Sequence, residues 1–163
     1  MMAQPGVADP ADPAVPTDPT AILDGPAAAA VLVDTGILVA LFNRQDPQHA
    51  AATAWLAGCN LALHTVEAVL TEAAFFLPVR LRSALADLAA GGVLRVHAPD
   101  AQGHARLSQL FVKFQDQDPD WADLTLVWLA ERSGIRRIAT LDAGDFNIYR
   151  INGRARFHLE LLR

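Results

Sequence analysis

Four short stretches put carboxylates where a folded chain has to account for them: VLVDTG at 31–36, TEAAFFL at 71–77, DPDWADLTLVWLAE at 118–131 and TLDAGDF at 140–146. Asp34 closes an apolar run, and Glu72 sits among alanines and phenylalanines at helical spacing. Asp120 and Asp123, three apart, share one side of a helix's first turn, while Asp142 and Asp145 repeat that spacing in a loop. Carboxylates brought together cannot all ionise unless a cation compensates them. An all-oxygen set suits a hard ion, Mg²⁺ or Mn²⁺. Such an ion acidifies water and steadies a leaving oxygen, which is hydrolytic chemistry. Each acid also has an ordinary explanation. Asp34, Asp120 and Asp123 suit a helix N-terminus, Asp145 a turn, and Glu72 the solvent face of an amphipathic helix.

Whether the acids meet depends on the elements carrying them. Short apolar runs alternate with longer segments of helical period from Ala30 onward, the pattern of an α/β fold with a short, mainly parallel central sheet. Strands are expected at AVLV (30–33), LALH (61–64), VLRV (93–96) and RIAT (137–140), with an edge strand at RFHL (156–159). Helices are expected at 36–43, 47–57, 66–77, 79–90, 101–115 and 121–133. Asp46–Pro47 and Thr65 read as starts, Gly58, Gly91 and Gly134 as stops, and Pro78 as a break. Ligands of such sheets sit beyond the carboxyl ends of the strands, where Asp34 and Asp142 fall.

The chain of 163 residues is 52% hydrophobic and 19% charged, enough for one sizeable core. Its formal charge of −5 is mostly a property of its beginning: residues 1–30 hold Asp9, Asp12, Asp18 and Asp24 with no Lys or Arg. The other 14 of 18 acids face 13 basic residues, leaving −1. Six of the ten prolines also precede residue 31, so residues 1–29 read as a disordered leader or an early start, and 30–163 as the folded domain. No apolar run is long enough to span a membrane and no secretion signal is visible, so a cytoplasmic protein is expected. Cys59, the single cysteine, excludes an internal disulfide.

Other chemistries lack their residues. There is no phosphate-binding G-x-x-x-x-G-K loop, no G-x-S-x-G elbow and no Cys–His pair. The histidines at 49, 64, 97, 104 and 158 are spread too widely for zinc. A phosphatase with Asp34 as nucleophile would want a second Asp where Gly36 stands, and a lysine, of which Lys113 is the sole example.

Taken together, VLVDTGILVALFNRQDPQHAAA, TVEAVLTEAAF and DWADLTLVWLAERSGIRRIATLDAGDF resemble, in order and spacing, the PIN-domain ribonucleases, especially the small bacterial VapC-type toxins. The resemblance runs from about residue 30 to the C-terminus. It implies a three-layer α/β/α fold, metal-dependent endoribonuclease activity on RNA, and a toxin–antitoxin role. A small antitoxin partner and a homodimer or higher homo-oligomer are implied with it. Residue by residue, it places the catalytic and metal-binding acids at Asp34, Glu72 and Asp123, and at the Asp142/Asp145 pair, with Asp120 behind them. Thr35 and Thr140 become candidates for contacts to water or phosphate, His64 for a substrate contact, and Trp55, Phe75 and Phe76 for protein contacts. Arginines clustered at 136, 137, 150, 154 and 156 are candidates for phosphate or exposed bases, or for a solvated hairpin around Asn152–Gly153. A PIN-like RNA-processing nuclease without a toxin role, and a PIN-like module that binds without cutting, both stay open.

Overall fold

The computed structural model describes residues 26–161; the expected leader up to residue 25 lies outside them. Five parallel strands form the sheet: β1 (Ala30–Val33), β2 (Ala62–Val66), β3 (Leu94–His97), β4 (Arg137–Thr140) and β5 (His158–Leu161). Their order is β3-β2-β1-β4-β5. The chain runs outward from β1 through β2 to β3, then returns to pair β4 on the other side of β1, so the order reverses between β1 and β4. That reversal opens a crevice at the carboxyl ends of those two strands. All four residues of β1 are buried, as a strand covered on both faces requires.

Among the described residues seven α-helices flank the sheet: α1 (Thr35–Phe42), α2 (His49–Gly58), α3 (Glu67–Phe76), α4 (Val79–Ala90), α5 (Ala101–Lys113), α6 (Trp121–Ser133) and α7 (Ala143–Ile148). In α6 every residue from Ala122 to Ala130 is buried, so it is enclosed around its whole circumference, with Asp123 and Thr125 the polar residues in an otherwise apolar run. Asp120 caps its start and Gly134, at φ +76°, ends it in the left-handed region where a side chain would be strained. By contrast α5 buries only Gly103, Leu107 and Leu110, one stripe at helical spacing. Fully burying a leucine stabilises by about 1.5–3 kcal/mol, which makes the shared core under β1 and α6 the main source of stability.

The expected strands at 30–33 and 137–140 and the helices at 79–90 and 121–133 coincide with those observed. Two start signals act differently. Thr65 lies inside β2 and donates its hydroxyl to the carbonyl of Val33 at 2.7 Å, so it ties two strands together rather than capping α3. Asp46 accepts from the backbone N–H of Gln48 at 2.8 Å, shaping the turn before α2, which begins at His49. Helix α7, in the stretch expected to be a loop, is the one unanticipated α-helix among the described residues.

Candidate active site

The ladder between β1 and β4 sets Val33 beside Ala139 and continues one step, with the Asp34 N–H donating to Ala139 O at 3.1 Å. Asp34 therefore emerges next to Thr140 at the mouth of the crevice. One carboxylate oxygen of Asp34 accepts from the Thr35 N–H at 2.6 Å, making it the N-cap of α1. The other accepts from the Thr140 hydroxyl at 2.7 Å. Thr140 Oγ1 in turn accepts from the Asp142 N–H at 2.9 Å, fixing the turn that leads into α7. Packing of α1 on α3 brings Glu72 in, and its carboxylate accepts from Thr35 Oγ1 at 2.7 Å. Thr35 thus addresses two acids, one with its backbone and one with its side chain.

Asp123 enters from α6. Its N–H donates to Asp120 Oδ1 at 2.7 Å, while its own carboxyl receives only a long contact, 3.5 Å, from the Tyr149 hydroxyl. Asp142 caps α7, accepting from the N–H groups of Gly144 and Asp145 at 2.8 and 3.3 Å. All five acids expected from the sequence, together with Asp120 and Asp46, line one cleft of about 470 Å³, and among the described residues no Lys or Arg is in its walls.

Electrostatics follow from that crowding. Asp34, 8% exposed, has its pKa raised to about 6; burial is the largest cause, Thr140 and Thr35 oppose it, and Asp120 and Glu72 add to it. Asp123, 7% exposed, is raised to about 8, first by burial and then by Asp120, Asp34, Asp145 and Asp142. Asp145 is raised by burial, then by Asp142 and Asp120. Burial and the facing Asp123 push the Tyr149 phenol well above its ordinary value. A low-dielectric crevice holding several acids, with no Lys or Arg among the described residues of its walls, favours a divalent ion bound by hard oxygens, so the donor set fits Mg²⁺ or Mn²⁺. As they stand, no three His, Cys, Asp or Glu side chains among the described residues form a closed cage. The hydrogen bonds explain that: Asp34, Glu72 and Asp142 each turn toward a donor of the protein's own.

The remaining expectations divide. Thr35 and Thr140 contact carboxylates directly. His64 is buried, stacked on His97 with Nδ1 2.9 Å from His97 Nε2, and does not line the cleft. Trp55 is half-buried and donates its indole N–H to Glu160 at 2.8 Å, tying α2 to β5, whereas Phe75 and Phe76 are exposed. Asn152 and Gly153, at φ 50° and 71°, form the expected turn between Ile151 and Ala155. Arg150 is spent on the carbonyls of Asn147, Ile148 and Tyr149 at the end of α7, and Arg137 pairs with Glu160 at 3.0 Å. Arg136, Arg154 and Arg156 are exposed. Sequence reasoning missed Tyr149 and the place of Asp46 in the cleft wall.

A parallel sheet with acids gathered at its topological switch point is the arrangement of a metal-assisted nuclease of the PIN type. The PIN domain family model matches residues 31–152, and the chain belongs to that family. It is 31% identical over 132 residues to Ribonuclease VapC26 of Mycobacterium tuberculosis, an alignment covering 78% of this chain and 97% of that protein. The crystal structure of Mycobacterium tuberculosis VapC20, described as a sarcin-ricin loop cleaving toxin, superposes with a TM-score of 0.62. That match covers 67% of this chain and 87% of the other at 22% identity, and it bears on the fold. No helix among the described residues is long and apolar enough to cross a membrane.

Proposed function

We propose that the protein is a VapC-type endoribonuclease that hydrolyses RNA phosphodiester bonds with Mg²⁺ or Mn²⁺ and acts as the toxin of a toxin–antitoxin pair. The observation that carries the reading is the burial of Asp34 and Asp123, each with a raised pKa, in one cleft with Glu72, Asp142 and Asp145. Asp34, Glu72 and Asp123 are the core of the ion-binding set, and Asp142 and Asp145 complete it. When bound, the ion acidifies water and offsets the charge that builds on a phosphodiester. The chain's own residues supply position and proton control. Thr35 holds Glu72 against the end of β1, and Thr140 holds Asp34 and the Asp142 turn in one register. In the metal-free protein the Asp123 carboxyl, raised to about 8, holds its proton near neutral pH, and it must release that proton to become an ion ligand. Single-stranded RNA is the substrate class, because its bases can be splayed and stacked. A small antitoxin and a second copy of the chain are the protein partners.

Asp34, Asp120 and Asp142 are also N-caps, which favours a rival reading as a module that binds without cutting. Cleavage separates the two. Purified protein should cut RNA in Mg²⁺ or Mn²⁺ and stop in EDTA, and Asp34→Asn, Glu72→Gln and Asp123→Asn should each abolish cutting while circular dichroism stays unchanged. A well-folded amide variant that cuts at the wild-type rate removes that residue from the site. A short reading frame directly upstream, encoding a small DNA-binding protein, is expected for the toxin role; without it the reading reverts to general RNA processing.

A further inference from the structure

Beside the acid cleft lies a larger hollow of about 770 Å³, between α3, the loop after β3 and the first turns of α5 and α6. This is within the roughly 300–1,000 Å³ range of small-ligand clefts. Glu72, Phe76 and Asp120 belong to the walls of both, so the two spaces adjoin. Whatever reaches the acids can extend a neighbouring group into the hollow.

Its apolar surface is made of exposed aromatic rings: Trp121 at 54%, Phe76 at 59% and Phe75 at 79%. These rings are braced. Trp121 lies 5.3 Å from Phe111 and 6.4 Å from His104 between centroids, and Phe75 meets Phe76 edge-on at 5.4 Å. Flat aromatic faces left open beside a phosphodiester site are stacking platforms for unpaired bases.

The polar side chains of the hollow offer acceptors. Thr71 donates its hydroxyl to Glu67 O at 3.0 Å and Thr125 donates to Trp121 O at 2.7 Å, so both protons are spent within helices. His104 Nδ1 lies 2.9 Å from Asp100 O, and a carbonyl only accepts, so the neutral ring carries its proton there and keeps a lone pair on Nε2. Glu67 and Asp120 add carboxylate oxygens, and among the described residues no Lys or Arg lines the space. A phosphate backbone finds no counter-charge along this wall. A base edge that donates hydrogen bonds finds partners.

We propose that this hollow receives the unpaired nucleobase next to the scissile phosphate, stacks it on Trp121 and Phe76, and selects bases bearing an exocyclic amino group. The proposal rests on the ribonuclease reading of the adjoining acids. Cytosine, adenine and guanine each present amino donors to carboxylate acceptors, whereas uracil sets two carbonyls beside its single N–H and meets acceptor with acceptor. Uracil is therefore the disfavoured base at that position.

The test is a cleavage-site map on total RNA in Mn²⁺ for the wild-type chain, Trp121→Ala, Phe76→Ala and Trp121→Phe. Wild type should show one position flanking the cut depleted in uracil. Both alanine variants should cut roughly tenfold more slowly, the scale of losing one aromatic platform, and should flatten that depletion. Trp121→Phe, which keeps a platform, should restore most of the rate. Slower cutting with the base bias intact would make the rings mere packing and overturn the proposal. Unchanged rate and bias, with loss of association with a second copy or an inhibitory protein, would also overturn it, by making the hollow a protein seat. If the wild-type chain cuts no RNA at all, the ribonuclease reading falls and takes this one with it.

Discussion

Thr140 shows how much one hydroxyl can arrange. It is fully buried, donates to Asp34 and accepts from Asp142, so Thr140→Val removes two hydrogen bonds at once while preserving shape. A buried carboxylate oxygen deprived of its donor costs about 1–3 kcal/mol, and that loss should appear as a lower melting temperature together with slower RNA cleavage. A variant melting like wild type would mean that water replaces the hydroxyl without loss. The amide variants make a second residue-scale case. In EDTA near pH 7 Asp123→Asn should melt higher than wild type, because the wild-type carboxyl, with only a 3.5 Å contact from Tyr149, must take up a proton on folding and the amide need not. Asp34→Asn should gain less, because its second oxygen becomes an NH₂ group facing donors. Millimolar Mn²⁺ should reverse the order: an ion at a hundredfold excess over Kd adds about 2.7 kcal/mol to a protein that retains the site. Equal shifts for all three proteins would reduce the acids to caps. Asp34 was legible in the sequence because a charge ended an apolar strand. Tyr149 was not, because a contact across 26 residues leaves no local pattern.

Elements were legible where one signal dominated. Strand AVLV, and a thirteen-residue apolar helix starting at an aspartate and stopping at a glycine, needed no tertiary information. Helix α7 was hidden because AGDFNI is too short to show a period and contains Gly144 and Asp145, which read equally well as a turn; the Asp142 cap and the burial of Phe146 decide the matter. Thr65 was misread because a hydroxyl before a helical segment is a cap by default, and only the neighbouring strand shows where its proton goes. Gly103 looked unremarkable in α5, yet a Cβ there would come within 2.7 Å of the Pro99 side chain and 2.9 Å of the Trp128 indole nitrogen. Two effects oppose each other in Gly103→Ala. Helix propensity favours alanine by about 1 kcal/mol. Overpacking costs about 1–3 kcal/mol, and here the rings of Pro99 and Trp128 on both sides are slow to yield. We expect net destabilisation, seen as a lower urea midpoint with an unchanged slope; a stabilised variant would show that α5 slides freely on α6.

At the scale of the whole molecule, folding has gathered acids from α3, from the starts of α1, α6 and α7 and from the turn before α2 into a crevice with no basic residue among the described ones, and the chain should register that as a dependence of stability on pH. In the metal-free protein the direction of that dependence is set by which state holds the protons. Asp123 has a folded pKa of about 8 against an ordinary value of 3.8, so the unfolded chain has released this proton well before neutral pH while the folded chain still holds it. The favourable contribution is complete below about pH 4 and is lost as pH rises through 8. Asp34, raised to about 6, acts in the same direction over a lower window. His97, whose pKa is lowered by burial and by Arg95, acts oppositely, penalising the folded state as pH falls below 6.5. Between pH 6.5 and 8, then, Asp123 dominates, and one proton held by the folded state alone gives a loss of about 1–2 kcal/mol across that interval. Chemical denaturation in EDTA should show stability falling over this range for wild type and staying flat for Asp123→Asn. Saturating Mn²⁺ should flatten the wild-type curve as well, because an ion that keeps Asp123 ionised in the folded state leaves no proton to lose. A wild-type curve already level in EDTA would mean that Asp123 titrates like a surface acid, and the crowded-carboxylate account of the cleft would then be wrong.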